Sequence, residues 1–325
     1  MSQIGRTTSV AYYHYVSSAA SISHHLGRDT AHHSWDRGQP PALSVPVGSE
    51  VHLALRDGSN GQIRPTTRPE ELLDLELAKM DPLTGPIWVE SVEPGDALVV
   101  DIVDIRLGPV GWSGVIPGLG LLADQFPGPY LRSWEIGGDE VEIAAGHRFA
   151  LSPMLGVVGV APAPPGAHPT TVPTAAGGNL DVKYVRPGCR MLLPVFTEGA
   201  LLSLGDAHAL QGDGELSGTA IECEAEAVIK VDVVRQLRLG APVVDTVATA
   251  GGTEAYRSFL GVGPDLYRAA QEASERAVEA VAASLRVEPV EAYALLGTIA
   301  ELRIHEIVDR PNWVVGCMVP LRLFR

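Results

Sequence analysis

Eleven residues, Gly205-Asp206-Ala207-His208-Ala209-Leu210-Gln211-Gly212-Asp213-Gly214-Glu215, hold the densest chemistry in the chain, and Glu222 follows shortly after them. Carboxylates and an imidazole held close on tightly turned backbone can ligate a divalent metal or act as acid and base. Asp206 and His208 are two residues apart, so on extended backbone both side chains leave the same side and can address one ion. Gly205, Gly212, Gly214 and Gly218 oppose a helix here and let the backbone bend around a ligand. A Gly-Asp-Gly turn also forms for structural reasons alone, with Asp213 bonding its own backbone. The Asp206-x-His208 pair ahead of it shifts the reading toward a site.

Gly177-Gly178-Asn179-Leu180-Asp181 is the second candidate. Asn179 and Asp181 repeat the two-residue spacing, and the Gly-Gly pair frees the backbone for close approach to a ligand. A hairpin turn is the competing reading. Third is the cluster His24, His25, His32 and His33, four of the chain's 10 histidines. Imidazole is a zinc ligand and a general base near neutral pH. His32 or His33, beside Trp35-Asp36 and Pro40-Pro41, is better placed than the other two. Glu222 has two readings: the first member of a solvated acidic stripe with Glu224 and Glu226, or an active-site acid at the start of a strand.

The elements that must carry these residues are mostly strands. Val51, Leu53 and Leu55 alternate in the segment from Val47 to Leu55, and Ala97 to Val103 is an apolar run after a Pro-Gly turn. Glu140 to Ile143 alternates as well. From Thr219 to Val234, Ile221, Cys223, Ala225, Ala227, Ile229, Val231 and Val233 share one face. Glu222, Glu224, Glu226, Lys230 and Asp232 share the other. Ala161 to Ala176 is a loop rich in Pro, Ala, Gly and Thr. Pro264-Asp265-Leu266 opens a helix to about Leu285. Tyr293, Leu296, Ala300, Ile304 and Ile307 have helical spacing and predict a second helix from Pro289 to just before Pro311. Trp313 to Phe324 reads as a last strand. The expected class is α+β: strand-dominated, β-sandwich-like sheets covered by a C-terminal helical pair. Residues 1–260 form the strand-rich catalytic region, open to division into two packed subdomains, and residues 261–325 supply the helices and the final strand.

With 325 residues, 46% hydrophobic and 19% charged, the chain can bury a sizeable core. A net charge of −15 argues against nucleic-acid and anionic-membrane surfaces. Cys189, Cys223 and Cys317 are widely spaced and are read as reduced thiols. Met1 to Arg6 lacks a signal-like apolar run, and no window of ~20 apolar residues spans a bilayer. A cytoplasmic protein is expected. Gly-x-Ser-x-Gly elbows, P-loops and amidase-signature serine motifs are all missing, and Gly118-Leu119-Gly120 lacks the strand and helix of a dinucleotide site.

The motifs, in order, resemble the acetamidase/formamidase family over nearly the whole chain. The matching blocks are His32-His33-Ser34-Trp35-Asp36 with Pro40-Pro41, Asp57 to Gln62-Ile63, Leu83-Thr84-Gly85-Pro86-Ile87-Trp88-Val89-Glu90 with Glu93-Pro94-Gly95-Asp96, Gly177 to Asp181, Leu193-Pro194-Val195, Gly199-Ala200-Leu201, Gly205 to Glu215, and Thr219-Ala220-Ile221-Glu222. The resemblance implies hydrolysis of small linear amides to ammonia and a carboxylate, on a strand-rich fold with a divalent metal. Zinc is the first expectation and calcium the alternative. Carried over by motif, Asp181, His208, Asp206 and Asp213 are candidate metal ligands. Glu222 or Glu215 would be the acid/base, and Asn179 or a glycine-loop N–H would stabilise the oxyanion. Gly178, Gln211 and His33 are candidate substrate contacts. Three positions depart from the family pattern: Ala176 and Asp81, where histidine is usual, and Ser217, where cysteine is common. The expected partners are a small amide and further copies of the chain, a dimer first. Two other readings stay open: a non-catalytic metal- or carbohydrate-binding β-domain, and a relative acting on a larger or cyclic amide.

Overall fold

The computed structural model describes residues 23–248 and 254–324; the Met1–Arg6 stretch lies outside them. Strands β1 (Glu50–Leu55), β2 (Leu83–Val89), β3 (Ala97–Val115), β4 (Met154–Gly159), β5 (Gly177–Asn179), β6 (Arg190–Pro194), β7 (Leu202–His208), β8 (Glu222–Val234), β9 (Val243–Asp245) and β10 (Tyr256–Gly263) precede two helices, α1 (Leu266–Leu285) and α2 (Pro289–Ile299). Strands β11 (Glu301–Glu306) and β12 (Trp313–Pro320) follow. One large sheet runs in the order β5-β4-β7-β8-β3-β6-β9-β10-β12-β11, antiparallel at every step. β1 adds to β8 and β2 to β7, both antiparallel. The class is α+β and strand-dominated, as expected.

Alternation explains the sheet's polarity. Val51, Leu53 and Leu55 of β1 are buried and their neighbours are not. In β8, Cys223, Ala225, Ala227, Ile229 and Val231 are buried while Glu224 and Glu226 are exposed. All of these buried residues but Cys223, which packs with Trp134, Val141, Ala209 and Ile221, join Leu98, Val100 and Ile102 of β3, Leu155 and Val158 of β4, Met191 and Leu193 of β6 and Leu202 and Leu204 of β7 in one main core. Strands from distant positions in the sheet order thus face one another across apolar side chains, the sandwich-like arrangement.

A second core lies under the helices. Ala269, Ala273, Ala277, Ala280 and Val281 make one buried stripe of α1, which packs with Phe259, Cys317 and Val319 of the sheet. The helix is capped by Asp265, which accepts the Arg268 N–H at 2.8 Å. α2 differs from the sequence reading. It stops at Ile299, and residues 301–306 pair with β12 instead. Leu302 and Ile304 alternate as well as they fit a helix, and backbone pairing with β12 decides between the two periods. The last strand likewise stops at Pro320, before a short 3₁₀ turn. β11 and β12 therefore extend the same sheet. Among the described residues, no helix is long and apolar enough to cross a membrane.

Candidate active site

β7 and β8 place His208 directly opposite Glu222. The first half of the glycine-punctuated segment is thus a strand and not a loop. His208 Nε2 lies 3.0 Å from Asp206 Oδ2 and 3.0 Å from Glu222 Oε2. Gln211 orients the ring. Its Nε2 donates to the Asp181 carbonyl at 2.7 Å, so its Oε1 must be the atom facing His208 Nδ1, at 2.8 Å. That oxygen only accepts, so Nδ1 carries the hydrogen. In the neutral ring, Nε2 then aims its lone pair toward Asp206 and Glu222. Asp181 Oδ1 lies 3.7 Å from Nδ1.

Several of these atoms are buried without a hydrogen-bond partner: His208 Nε2, Glu222 Oε2, both Asp181 carboxylate oxygens and Asn179 Oδ1. Such atoms are costly unless a ligand completes them. The donor atoms fall into two sets, Asp206–His208–Glu222 and Asp181–His208–Glu215, each within 4.8 Å of one another. Two glycines make the room. A Cβ on Gly156 would collide with Asp206 Oδ2 and stand 2.7 Å from Asp181 Oδ1. One on Gly58 would stand 2.6 Å from Asp206 Oδ1 and 3.0 Å from Glu222 Oε2.

A cavity of about 200 Å³ opens over this cluster. Asp81, Asp181, Asp206, Glu215, Glu222 and Asp309 line one part of it, and Leu77, Met80, Trp112, Ile116 and Leu119 line another. Arg310 lines it too, and the His208 imidazole lies against Asp206 and Glu222. Burial pushes Glu222 up to about 8, against the opposing pull of His208. It raises Asp181 to about 6. Glu215, Asp81 and Asp309 go well above the usual carboxylate range, from burial first and then from neighbouring acids. Burial acts to lower His208, but the charges of Asp206 and Glu222 outweigh it and hold its pKa well above 6.5. Burial also acts to raise Asp206, and there the imidazole prevails, keeping the carboxyl low. A cluster so rich in acids demands a cation or several protons.

The backbone is strained at the same place. Asp81, Asp181, Asp206 and Glu215 all have left-handed φ values, of 48°, 45°, 54° and 43°. L-residues resist this region, and such outliers gather at functional sites.

The structure thus brings together Asp181, Asp206, His208, Glu215, Glu222 and Asn179. It places the remaining candidates elsewhere. Asp213 Oδ2 pairs with Lys183 Nζ at 2.7 Å and with Arg303 Nη1 at 3.1 Å, against β11. Burial works to raise its carboxyl, and the His305 imidazole, with Nδ1 3.9 Å from Oδ1, and the Lys183 ammonium overcome this and hold it low. Gln211 acts on His208, not on the cavity. Gly178 lies in the close pairing of β5 with β4, where a Cβ on Gly159 would stand 2.6 Å from its nitrogen. His33 is not among the residues that line the cavity. His32 bonds Ser34 O at 2.9 Å and Ser203 Oγ at 3.0 Å, and so ties its own segment to β7. His25 stacks on His52 with ring centroids 4.8 Å apart.

Asn179 does not face the cavity as the free donor an oxyanion needs. Its Nδ2 is committed to Asp309 Oδ2 at 2.7 Å. Asp309, along with Gly58, Trp112 and the apolar wall, is missed by the sequence reading. Asp309 sits in the turn after β11, about 130 residues from Asn179, and no spacing rule links them. Asp81 drew notice only as a departure from the family pattern; it lines the cavity. Ala176, by contrast, is 3% exposed in the main core, so its small side chain does not enlarge the cavity. Ser217 bonds Thr219 O at 3.1 Å. The three cysteines are free and buried, and burial pushes the Cys223 and Cys189 thiols up to about 12 and Cys317 to about 11. None is a ready nucleophile.

The acetamidase of Mycolicibacterium smegmatis is 31% identical over 269 residues, covering 63% of this chain and 66% of that protein. The formamidase of Methylophilus methylotrophus is 27% identical, covering 90% of this chain and 89% of its own. The crystal structure of an acetamidase from Bacillus halodurans superimposes with a TM-score of 0.86 at 30% identity, over 92% of this chain and 98% of that one. The profile of the Acetamidase/Formamidase family matches residues 20–169 and 164–325, and the chain belongs to that family.

Proposed function

We propose that the protein hydrolyses the carbon–nitrogen bond of small linear amides, releasing ammonia and a carboxylate. One observation carries this reading: six acids and several apolar side chains line a cavity of about 200 Å³, and two of those acids, Asp206 and Glu222, each lie 3.0 Å from the oriented His208 imidazole. Pockets for larger organic ligands usually run ~300–1,000 Å³, so a substrate of few atoms is favoured. The family's acetamidases and formamidases support the same reaction class.

The residues fit a divalent metal. His208 Nε2, Asp206 and Glu222 would hold it, with Asp181 beside them, since their buried donor atoms converge and His208 Nε2, Glu222 Oε2 and both Asp181 oxygens lack a hydrogen-bond partner. One nitrogen with several carboxylate oxygens suits zinc. Bound there, the metal supplies a water that ionises near neutral pH and a Lewis acid for the carbonyl. The protein's own groups do the rest. Gln211 fixes the tautomer that leaves Nε2 free. With a cation in the site to offset burial and the neighbouring acids that raise it, Glu215, beside Asp181 and His208, would accept a proton as water attacks and return it to the departing nitrogen, which leaves as ammonia. Leu77, Met80, Ile116 and Leu119 hold the acyl group and exclude bulk water.

The purified enzyme is expected to release ammonia from formamide or acetamide faster than from longer amides, and to lose that activity in a chelator. Stoichiometric metal with no ammonia from any amide would instead identify a non-catalytic ion-binding domain.

The raised carboxyls also set a pH dependence. Glu222 rises from 4.5 to about 8 and Asp181 from 3.8 to about 6. Their protonated forms favour the fold, so this stabilisation is complete below the unfolded values and is lost as pH climbs through about 6 and 8. Asp206, held low, contributes in the opposite sense, and only in the acid range. Chelator-stripped protein should therefore melt at progressively lower temperature from about pH 5 to about pH 8.5. Added divalent metal should restore the midpoint most at the alkaline end, with release of protons. Thermal denaturation across this range checks it; a stripped protein that gains stability with pH would contradict the cluster's assignment.

A further inference from the structure

We infer that Asn179 is the acceptor for the substrate's amide N–H, and that it thereby selects amides over their oxygen analogues. This rests on the amide-hydrolase reading. Asn179 is 4% exposed and lines the cavity beside Asp181 and Asp309. A carboxamide offers two donors on nitrogen and acceptor sites on oxygen. The Asp309 carboxylate takes the donor end, with Nδ2 to Oδ2 at 2.7 Å, which fixes which way the amide points. Asn179 Oδ1 is then turned the other way, buried and without a partner. The second end of the pair is anchored too. The turn carrying Asp309 is pinned by Glu306, which takes the backbone N–H groups of Val308 and Asp309, and Asn312 Nδ2 donates to Pro173 O at 2.9 Å.

A buried, orphaned acceptor at the edge of a small cavity calls for a ligand donor. The attacked carbonyl carbon and its oxygen have none. The NH2 group of a primary amide does, and it is the part that distinguishes an amide from an ester of the same acyl group. With that nitrogen at Asn179, the acyl chain has the apolar lining, Met80, Ile116 and Leu119 among it, left to occupy. That placement also puts the leaving group on the side of the cavity shared with Asp309, where Glu215 can deliver its proton. Sites built to bond a substrate N–H reject analogues that lack it far more strongly than apolar pockets reject an extra methylene.

The test compares acetamide with methyl acetate, which lacks any N–H, in the metal-loaded wild type and in Asn179→Ala. The variant is expected to lose roughly 10- to 100-fold in kcat/KM for acetamide, and the amide-to-ester ratio should fall by a similar factor. If both substrates decline together, Asn179 acts on the carbonyl or the frame, and the inference fails. A second measurement needs no variant. In the wild type, removing the last N–H in the series acetamide, N-methylacetamide, N,N-dimethylacetamide should cost at least about tenfold beyond the first methyl; equal steps would point to crowding and overturn the assignment. A wild type that turns over no amide at all would overturn the hydrolase reading itself, and this inference with it.

Discussion

His208→Ala is expected to strip the protein of its metal and to lower amide turnover by roughly 10³-fold or more. His208 is the one imidazole in the cluster, and both donor sets within 4.8 Å include it. Its Nε2 is 3.0 Å from Asp206 and from Glu222, and its opposite nitrogen is fixed by Gln211. Without it, the remaining donors are carboxylates that repel one another in a buried site, and they relieve that repulsion by taking up protons. A catalytic metal contributes several kcal/mol of transition-state stabilisation, and each 1.36 kcal/mol is about tenfold in rate. Metal analysis and ammonia release decide it together. A variant that keeps stoichiometric metal and full rate would remove His208 from the centre. Gln211→Ala, which frees the ring without removing it, should cost less, about 10- to 100-fold in metal affinity.

Glu215→Gln is expected to keep the metal and to lose about 10²- to 10⁴-fold in kcat, the usual worth of a positioned proton carrier. Glu215 belongs to the donor set on the Asp181 side, not to the pair facing the His208 lone pair. Glutamine preserves its size and its hydrogen-bonding reach but cannot carry the proton. The alkaline limb of the rate profile should change shape in the variant while KM for acetamide stays close to the wild type. Loss of metal instead of rate would make Glu215 a ligand and return the proton-transfer role to Glu222.

Much of this centre is legible in the sequence because short spacing is a local property. Asp206 and His208 reach one cluster from their two-residue spacing, although Asp206 itself is left-handed and not extended, and Asn179 and Asp181 both reach the cavity from the same spacing. Glu222 is the informative intermediate case. Its stripe-mates Glu224 and Glu226 are exposed, and it is buried only because β7 and the residues around Ala220, whose N–H it accepts at 2.8 Å, close over the start of β8. Alternation alone could not separate it from them. Asp213 misleads for the converse reason: Gly-Asp-Gly has the look of a ligand loop, yet Lys183 and Arg303, distant in sequence, claim its carboxylate. Asp309 is beyond any local rule, since it arrives from the C-terminal turn. The fold class follows from alternation and from the composition of α1, whereas the end of α2 does not. Residues 301–306 satisfy both periods, and only the presence of β12 as a pairing partner selects the strand.

The left-handed backbone at Asp81, Asp181, Asp206 and Glu215 bears on how this protein can diverge. Each such position costs of order 1–3 kcal/mol in strain, and β-branched or bulky replacements raise that cost further. Exchange at these acids is thereby restricted, and asparagine or glycine, which tolerate the conformation, surrender the charge; histidine, usual in the family where Asp81 stands, also visits this region more readily than most residues. Leu77, Met80, Ile116 and Leu119 carry no such restriction, for none of them has a positive φ. Mutational drift is channelled to that wall. New acyl specificities should therefore arise there more readily than by exchange of Asp181, Asp206 or Glu215.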